Sequence, residues 1–137
     1  MQESKERIRI QMGIEYIDLN DPEWEFTFST CVRAGDFLFT SHHGGYNFEE
    51  NKWPESVEEQ TIQCFINLKR SLEATGASLD DIVKTTVYLK KICDFDKMKE
   101  VYRHQFPKGY PARMTAVSEF VVPECLIMIE AIAYMPR

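Results

Sequence analysis

The chain has 137 residues, 44% of them hydrophobic and 28% charged, with a net charge of −6. That length and balance predict one globular domain with its own core and exclude a disordered chain. The acidic surplus argues against a general phosphate-binding surface and makes nucleic acid a poor partner, and no apolar run approaches the ~20 residues of a membrane-spanning helix.

Residues 1–25 are the least readable part and form an N-terminal extension. MQESKERIRIQ carries charges without the apolar centre of a secretory signal, so cytoplasmic residence is the expectation. Ile8, Ile10, Met12 and Ile14 recur at period two and predict a strand. FTFSTCVRAGDFLFTSHHGG then contains two β runs around Ala34-Gly35-Asp36, a hairpin pattern. NFEENKWPE is a polar loop.

SVEEQTIQCFINLKRSLEATG opens with Ser56-x-x-Glu59, a capping box. Val57, Thr61, Phe65, Leu68 and Leu72 make the apolar stripe of a helix that Gly76 stops. DDIVKTTVYLK alternates and is rich in β-branched residues, which predicts a strand. DFDKMKEVYRHQF repeats Phe95, Met98, Tyr102 and Phe106 at helical spacing, with Asp94 as its cap. After PKGYP, two strands flank Val122-Pro123-Glu124-Cys125. The order ββαβαββ predicts an α+β fold, one sheet with two helices on one face.

With Pro123 and Glu124 as the turn of a final hairpin, Arg113 lies opposite Tyr134. One face then holds Met114, Ala116, Phe120, Ile127, Ile129, Ala131 and Ala133 against the helices. Arg113, Thr115, Val117, Glu119, Met128, Glu130, Ile132 and Tyr134 take the other. That face is half apolar and half charged, and a further copy of the chain is the simplest cover for it. Arg113 itself is a surface residue, half of an ion pair with Glu119 or Glu130, or a clamp for an anion outside the chain.

Cys31, Cys64, Cys93 and Cys125 are far apart and sit in apolar elements, which predicts reduced structural thiols. No C-x-x-C or His/Cys knuckle suggests zinc, and no metal or other cofactor is expected.

VRAGDFLFTS, EEQTIQCFINLKRSLEATGASLDDIVKTTVYLK, DFDKMKEVYRHQF, YPARMTA and IEAIA follow the order and spacing of the RidA/YjgF family, the reactive intermediate deaminases. The resemblance spans Phe26 to Ala133 and makes 1–137 a single RidA-like domain. It implies a chorismate-mutase-like fold, a homotrimer, and sites in clefts between subunits. The activity it implies is hydrolysis of 2-imino or enamine acids, such as 2-aminoacrylate and 2-iminobutanoate, to 2-oxo acids and ammonia. An older family label, endoribonuclease and translation inhibitor, is the weakest reading for an acidic chain.

Arg113 stands where the family's substrate-binding arginine stands, and a planar guanidinium can hold a carboxylate through two parallel hydrogen bonds. Elsewhere the chain departs from the deaminase pattern. Phe28 replaces a tyrosine, Thr115 stands where Cys or Ser is frequent, and Met128 replaces the glutamate assigned to position water. Glu130 occupies another family position and does not inherit that role. Ser41-His42-His43 replaces Ser-Gly-Gln, bringing imidazoles toward the implied cleft, though both histidines also suit a polar strand end. Catalysis thus falls to Arg113 and Thr115, with Phe28, Ser41, His42, Met128 and Tyr110 as further substrate contacts. Tyr110 and Tyr134 equally suit aromatic packing. The alternative to a hydrolase is a non-catalytic module of the same family that binds small carboxylates.

Overall fold

The N-terminal run folds back on itself. In a computed structural model that describes residues 7–136, β1 (Arg7–Gln11) and β2 (Ile14–Asp18) pair antiparallel across Met12-Gly13. Both turn residues have positive φ, 50° and 82°, the condition for a two-residue hairpin that follows the strand twist. The single strand expected over Ile8–Ile14 is therefore two. Residues 1–6, part of the terminus read above for a secretory signal, lie outside the described residues.

The expected hairpin at Gly35-Asp36 joins β3 (Cys31–Ala34) to β4 (Phe37–Thr40). A two-residue strand, β5 (His43–Gly44), follows. Helix α1 (Val57–Ala74) starts as its sequence indicates: Glu59 N–H donates to Ser56 Oγ at 3.1 Å, and that hydroxyl donates to Glu59 Oε1. Its predicted stripe, Val57, Thr61, Phe65, Leu68 and Leu72, is buried throughout. Gly76 at φ 88° lets Ala77 N–H close on Leu72 O.

β6 (Ile82–Leu89) leads to α2 (Phe95–Tyr102), whose Met98 and Tyr102 are buried together with Phe106 beyond it. Asp94 does not cap α2. A short 3-10 turn over Ile92–Asp94 runs straight into the helix, so Asp94 has helical rather than extended backbone (φ −86°, ψ −1°) and its side chain makes no capping bond.

The largest departure is at the C-terminal end. β7 (Ala112–Val117) and β8 (Ile127–Tyr134) do not form a hairpin: β7 pairs parallel with β6, while β8 inserts antiparallel between β4 and β6. The sheet order is β1-β2-β3-β4-β8-β6-β7, with β5 alongside β8. The segment between β7 and β8 is long enough to pass over the end of β6, where Ser118 N–H donates to Leu89 O and Lys90 N–H to Leu126 O.

This topology changes one set of faces and keeps the other. On β8, Ile127, Ile129, Ala131 and Ala133 point to the helices and are buried, as expected. On β7 the faces are exchanged. Arg113 pairs with Thr85, Thr115 with Val87 and Val117 with Leu89, all partners on the helix side. Met114 and Ala116 instead pair with Thr86 and Tyr88 and share the open face with Met128, Glu130, Ile132 and Tyr134. Leu38, Leu68, Leu72, Met98, Ile127 and Ile129 fill the space between sheet and helices. The opposite face, with Phe37, Phe39, Met114 and Tyr134 exposed, is uncovered in the protomer.

Candidate active site

Arg113 emerges on the edge strand, on the side where α2 packs. Its guanidinium carbon lies 4.8 Å from the centre of the Tyr102 ring and 5.6 Å from that of Phe95. The two rings orient it by cation–π attraction. Among the described residues no carboxylate or carbonyl bonds this guanidinium. Glu130, one of its expected partners, is on the other face and accepts a hydrogen bond from Tyr88 Oη at 3.4 Å. Its charge, with burial second, raises the Tyr88 pKa. Glu130 also borders an open depression of about 230 Å³ with Phe39, Lys84, Thr86 and Ile132.

Tyr102 is fixed in turn by Thr85, whose hydroxyl lies 2.8 Å from Tyr102 Oη. Burial raises the Tyr102 pKa against smaller opposing effects of that hydrogen bond and of Arg113, so the ring stays a neutral phenol. Periodicity alone reads Tyr102 as core, and its second face, the platform under Arg113, is missed. Thr115, two residues along the same side of β7, has a buried hydroxyl oxygen with no partner among the described residues. Tyr110 is exposed and donates to Arg103 O at 3.4 Å.

The second group of candidates lies beyond β4. Here α1 presents a polar stripe at 60, 64, 67 and 71, spaced as one helix face. Asn67 Nδ2 donates to Gly44 O and Tyr46 O at 2.9 and 2.8 Å, and Cys64 Sγ to His43 O at 2.9 Å. Gln60 Nε2 donates to Pro54 O and Glu124 O, and its Oε1 accepts from Leu126 N–H. Gly45 crosses so close to α1 that a Cβ would sit 2.4 Å from Gln60 O. The segment from Ser41 to Tyr46 is thus held by buried side-chain bonds.

His43 is one of those anchors. Its Nδ1 donates to Ser41 O at 3.0 Å, which leaves Nε2 to accept from the Ser71 hydroxyl at 2.8 Å. Burial lowers its pKa, partly offset by the Ser41 bond, so the ring is neutral and faces α1. His42 is exposed, and its ring meets that of Phe28 at 5.3 Å between centroids. Met128 pairs with Gly44 on the neighbouring strand.

Arg113 and this second group do not meet within one protomer. Arg113 pairs with Thr85, Thr85 with Ala131, and Ala131 N–H donates to Thr40 Oγ1, so they occupy one level of the sheet. From β4 to β7 there are three strand steps, roughly 14 Å.

The three buried cysteines supply no nucleophile here. All four are free, and Cys31, Cys64 and Cys125 are buried. Burial pushes the Cys31 thiol up to about 12 and raises the other two. Cys93, expected in an apolar element, is exposed.

One level of the sheet that sets an arginine without a carboxylate partner among the described residues at its edge, and a pinned polar segment three strands away, defines a two-part α+β scaffold. The chain belongs to the RidA/YjgF family, whose sequence model, described as endoribonuclease L-PSP, matches residues 19–135. A RutC family protein of Pyrococcus horikoshii is 39% identical over 84% of this chain and 92% of its own. Reactive Intermediate Deaminase A, chloroplastic, of Arabidopsis thaliana is 36% identical over 77% of this chain and 57% of its own. A 2-iminobutanoate/2-iminopropanoate deaminase of Dermatophagoides farinae is 27% identical over 77% and 83%. The crystal structure of RidA from an Antarctic Psychrobacter species superposes with a TM-score of 0.73 at 34% identity, covering 81% of this chain and 90% of that one. No described helix is long and apolar enough to cross a membrane. The chloroplastic name of one relative means that family membership does not set the compartment.

Proposed function

We propose that this protein hydrolyses 2-imino acids to 2-oxo acids and ammonia in clefts between copies of a homotrimer, in the cytoplasm. The observation that carries the reading is Arg113, a stacked guanidinium with no carboxylate partner among the described residues. Names of relatives supply the substrate class. Because Arg113 and Thr40 share one level at different places in the sheet, a head-to-tail ring would bring Arg113 of one copy to Ser41 and His42 of the next.

In this reading Arg113 binds the substrate carboxylate by two parallel bonds and fixes the C=N carbon beside water. Water adds to that carbon, the C–N bond breaks, and nitrogen leaves as ammonia. Thr115 carries the next hydroxyl along the same side of β7, one without a partner among the described residues, and a turn about its Cα–Cβ bond would aim it at the ligand. Ser41, His42, Phe28, Met128 and Tyr110 line the cleft.

Phe28 and Met128 cannot exchange protons, and a missing positioned acid or base lowers such rates by on the order of 10²–10⁴-fold. Those two residues favour the second reading, a module that binds small carboxylates without turning them over. The test is decay of 2-iminobutanoate made in situ. Acceleration by the wild type that Arg113→Ala abolishes supports hydrolysis. Thermal stabilisation by 2-oxobutanoate without acceleration supports the binding module.

A further inference from the structure

Three aromatic residues occupy alternate positions before β3: Trp24, Phe26 and Phe28, each exposed. Their rings form a continuous row. Trp24 and Phe26 are 5.4 Å apart between centroids, Phe26 and Phe28 are stacked at 5.5 Å with 17° between planes, and Phe28 reaches His42 at 5.3 Å. The residues between them, Glu25 and Thr27, hold positive φ of 47° and 64°. Side-chain-bearing residues adopt that conformation at a cost. An ordinary extended segment would place alternate side chains roughly 6.7 Å apart. The two left-handed residues draw the row into contact.

Glu25 is the left-handed cap that ends a 3-10 turn over Pro22–Trp24, but no such turn accounts for Thr27, where backbone strain gathers rings at the surface rather than in the core. We propose that the row recognises the side chain of the substrate, and that the protein prefers 2-imino acids with aromatic or bulky apolar side chains over the three- and four-carbon ones. This inference rests on the hydrolase reading above and names its substrate class. Phe28 and His42 line the proposed cleft, and the row extends that wall outward through Phe26 to Trp24. With the carboxylate on Arg113 of the neighbouring copy, a side chain that lies flat on the row buries apolar surface that a methyl or ethyl group cannot reach. An RNA base could use the same rings. However, Glu23 and Glu25 flank Trp24 in the chain, and the net charge of −6 disfavours a phosphate backbone.

The test compares imines made in situ from phenylalanine and from 2-aminobutyrate by an amino acid oxidase. The wild type is expected to show the higher kcat/KM for the phenylalanine-derived imine. Trp24→Ala and Phe26→Ala should each lower the ratio of the two values roughly tenfold or more. A ratio cancels differences in folded fraction, and both side chains are exposed. A wild-type preference for the small imine, or a ratio the substitutions leave unchanged, overturns the proposal while the hydrolase reading stands. If neither imine is turned over, the hydrolase reading falls, and quenching of tryptophan fluorescence by phenylpyruvate and 2-oxobutanoate decides the row. Tighter phenylpyruvate binding that Phe26→Ala weakens supports the row as a recognition surface; equal binding overturns it. Variants whose oligomer dissociates in light scattering would assign the row to a contact between copies, which also overturns it, as would tighter binding of a single-stranded RNA oligonucleotide than of phenylpyruvate.

Discussion

The segment from Ser41 to Tyr46 and the edge strand that carries Arg113 are held in opposite ways. The first is fastened from beneath by Cys64, Asn67 and Ser71, with Gly45 packed against the backbone of Gln60. The second is bonded to the sheet along one side, and its charged group rests on two aromatic rings. Satisfied groups stabilise, whereas an unpartnered cation holds binding capacity in reserve. Substitutions in the first region should therefore reduce stability, and those in the second should reduce function.

Arg113→Ala should have the largest effect, a loss of roughly 10³-fold in kcat/KM for 2-iminobutanoate. Its effect on stability should be about 1 kcal/mol or less, the scale of an exposed cation–π contact. Arg113→Lys should not restore activity, because an ammonium lacks the planar fork. A large drop in melting temperature for Arg113→Ala would break the contrast. Gly45→Ala should do the reverse and destabilise by about 3 kcal/mol in urea denaturation, since its methyl would meet the backbone of Gln60. Gln60→Leu keeps the volume but leaves Leu126 N–H, Pro54 O and Glu124 O unpaired, for a loss of about 2 kcal/mol.

The smallest effect is the dependence on pH. His43 has a folded pKa below the ordinary 6.5, so the unfolded chain takes up its proton first on acidification. Its contribution is complete above pH 6.5 and is lost as pH falls through the lower folded value. The groups that face the ring are the Ser71 hydroxyl, the Ser41 carbonyl and the neighbouring His42, whose charge would deepen the effect. Urea midpoints between pH 7 and 5 should fall more steeply for the wild type than for His43→Gln.

How much of this could be read from sequence depends on whether the information is local. The cap and stripe of α1 and the Gly35 turn are local, and the structure has them where expected. The hairpin at Met12-Gly13 was hidden because methionine is a rare first residue for such a turn. Which strands pair is not local. Alternation along 112–117 and 127–134 is the same for a hairpin and for two strands separated by β6, so the pattern could not show that Arg113 and Glu130 face opposite ways. The platform under Arg113 was hidden for a related reason: Tyr102 has the spacing of a core residue and is one. The fastening of Ser41–Tyr46 did leave a sign, positions 64, 67 and 71 at helical spacing, which a search for apolar stripes passes over.

The insertion of β8 between β4 and β6 has a consequence for biosynthesis. Four strands made early and two made later stay separate until residues 127–134 leave the ribosome, since this late segment joins them. Folding must then wait for contacts that span most of the sequence, which slows it. A ribosome that stalls shortly before Ile127 would release two half-sheets, each with an open edge for strangers to pair with.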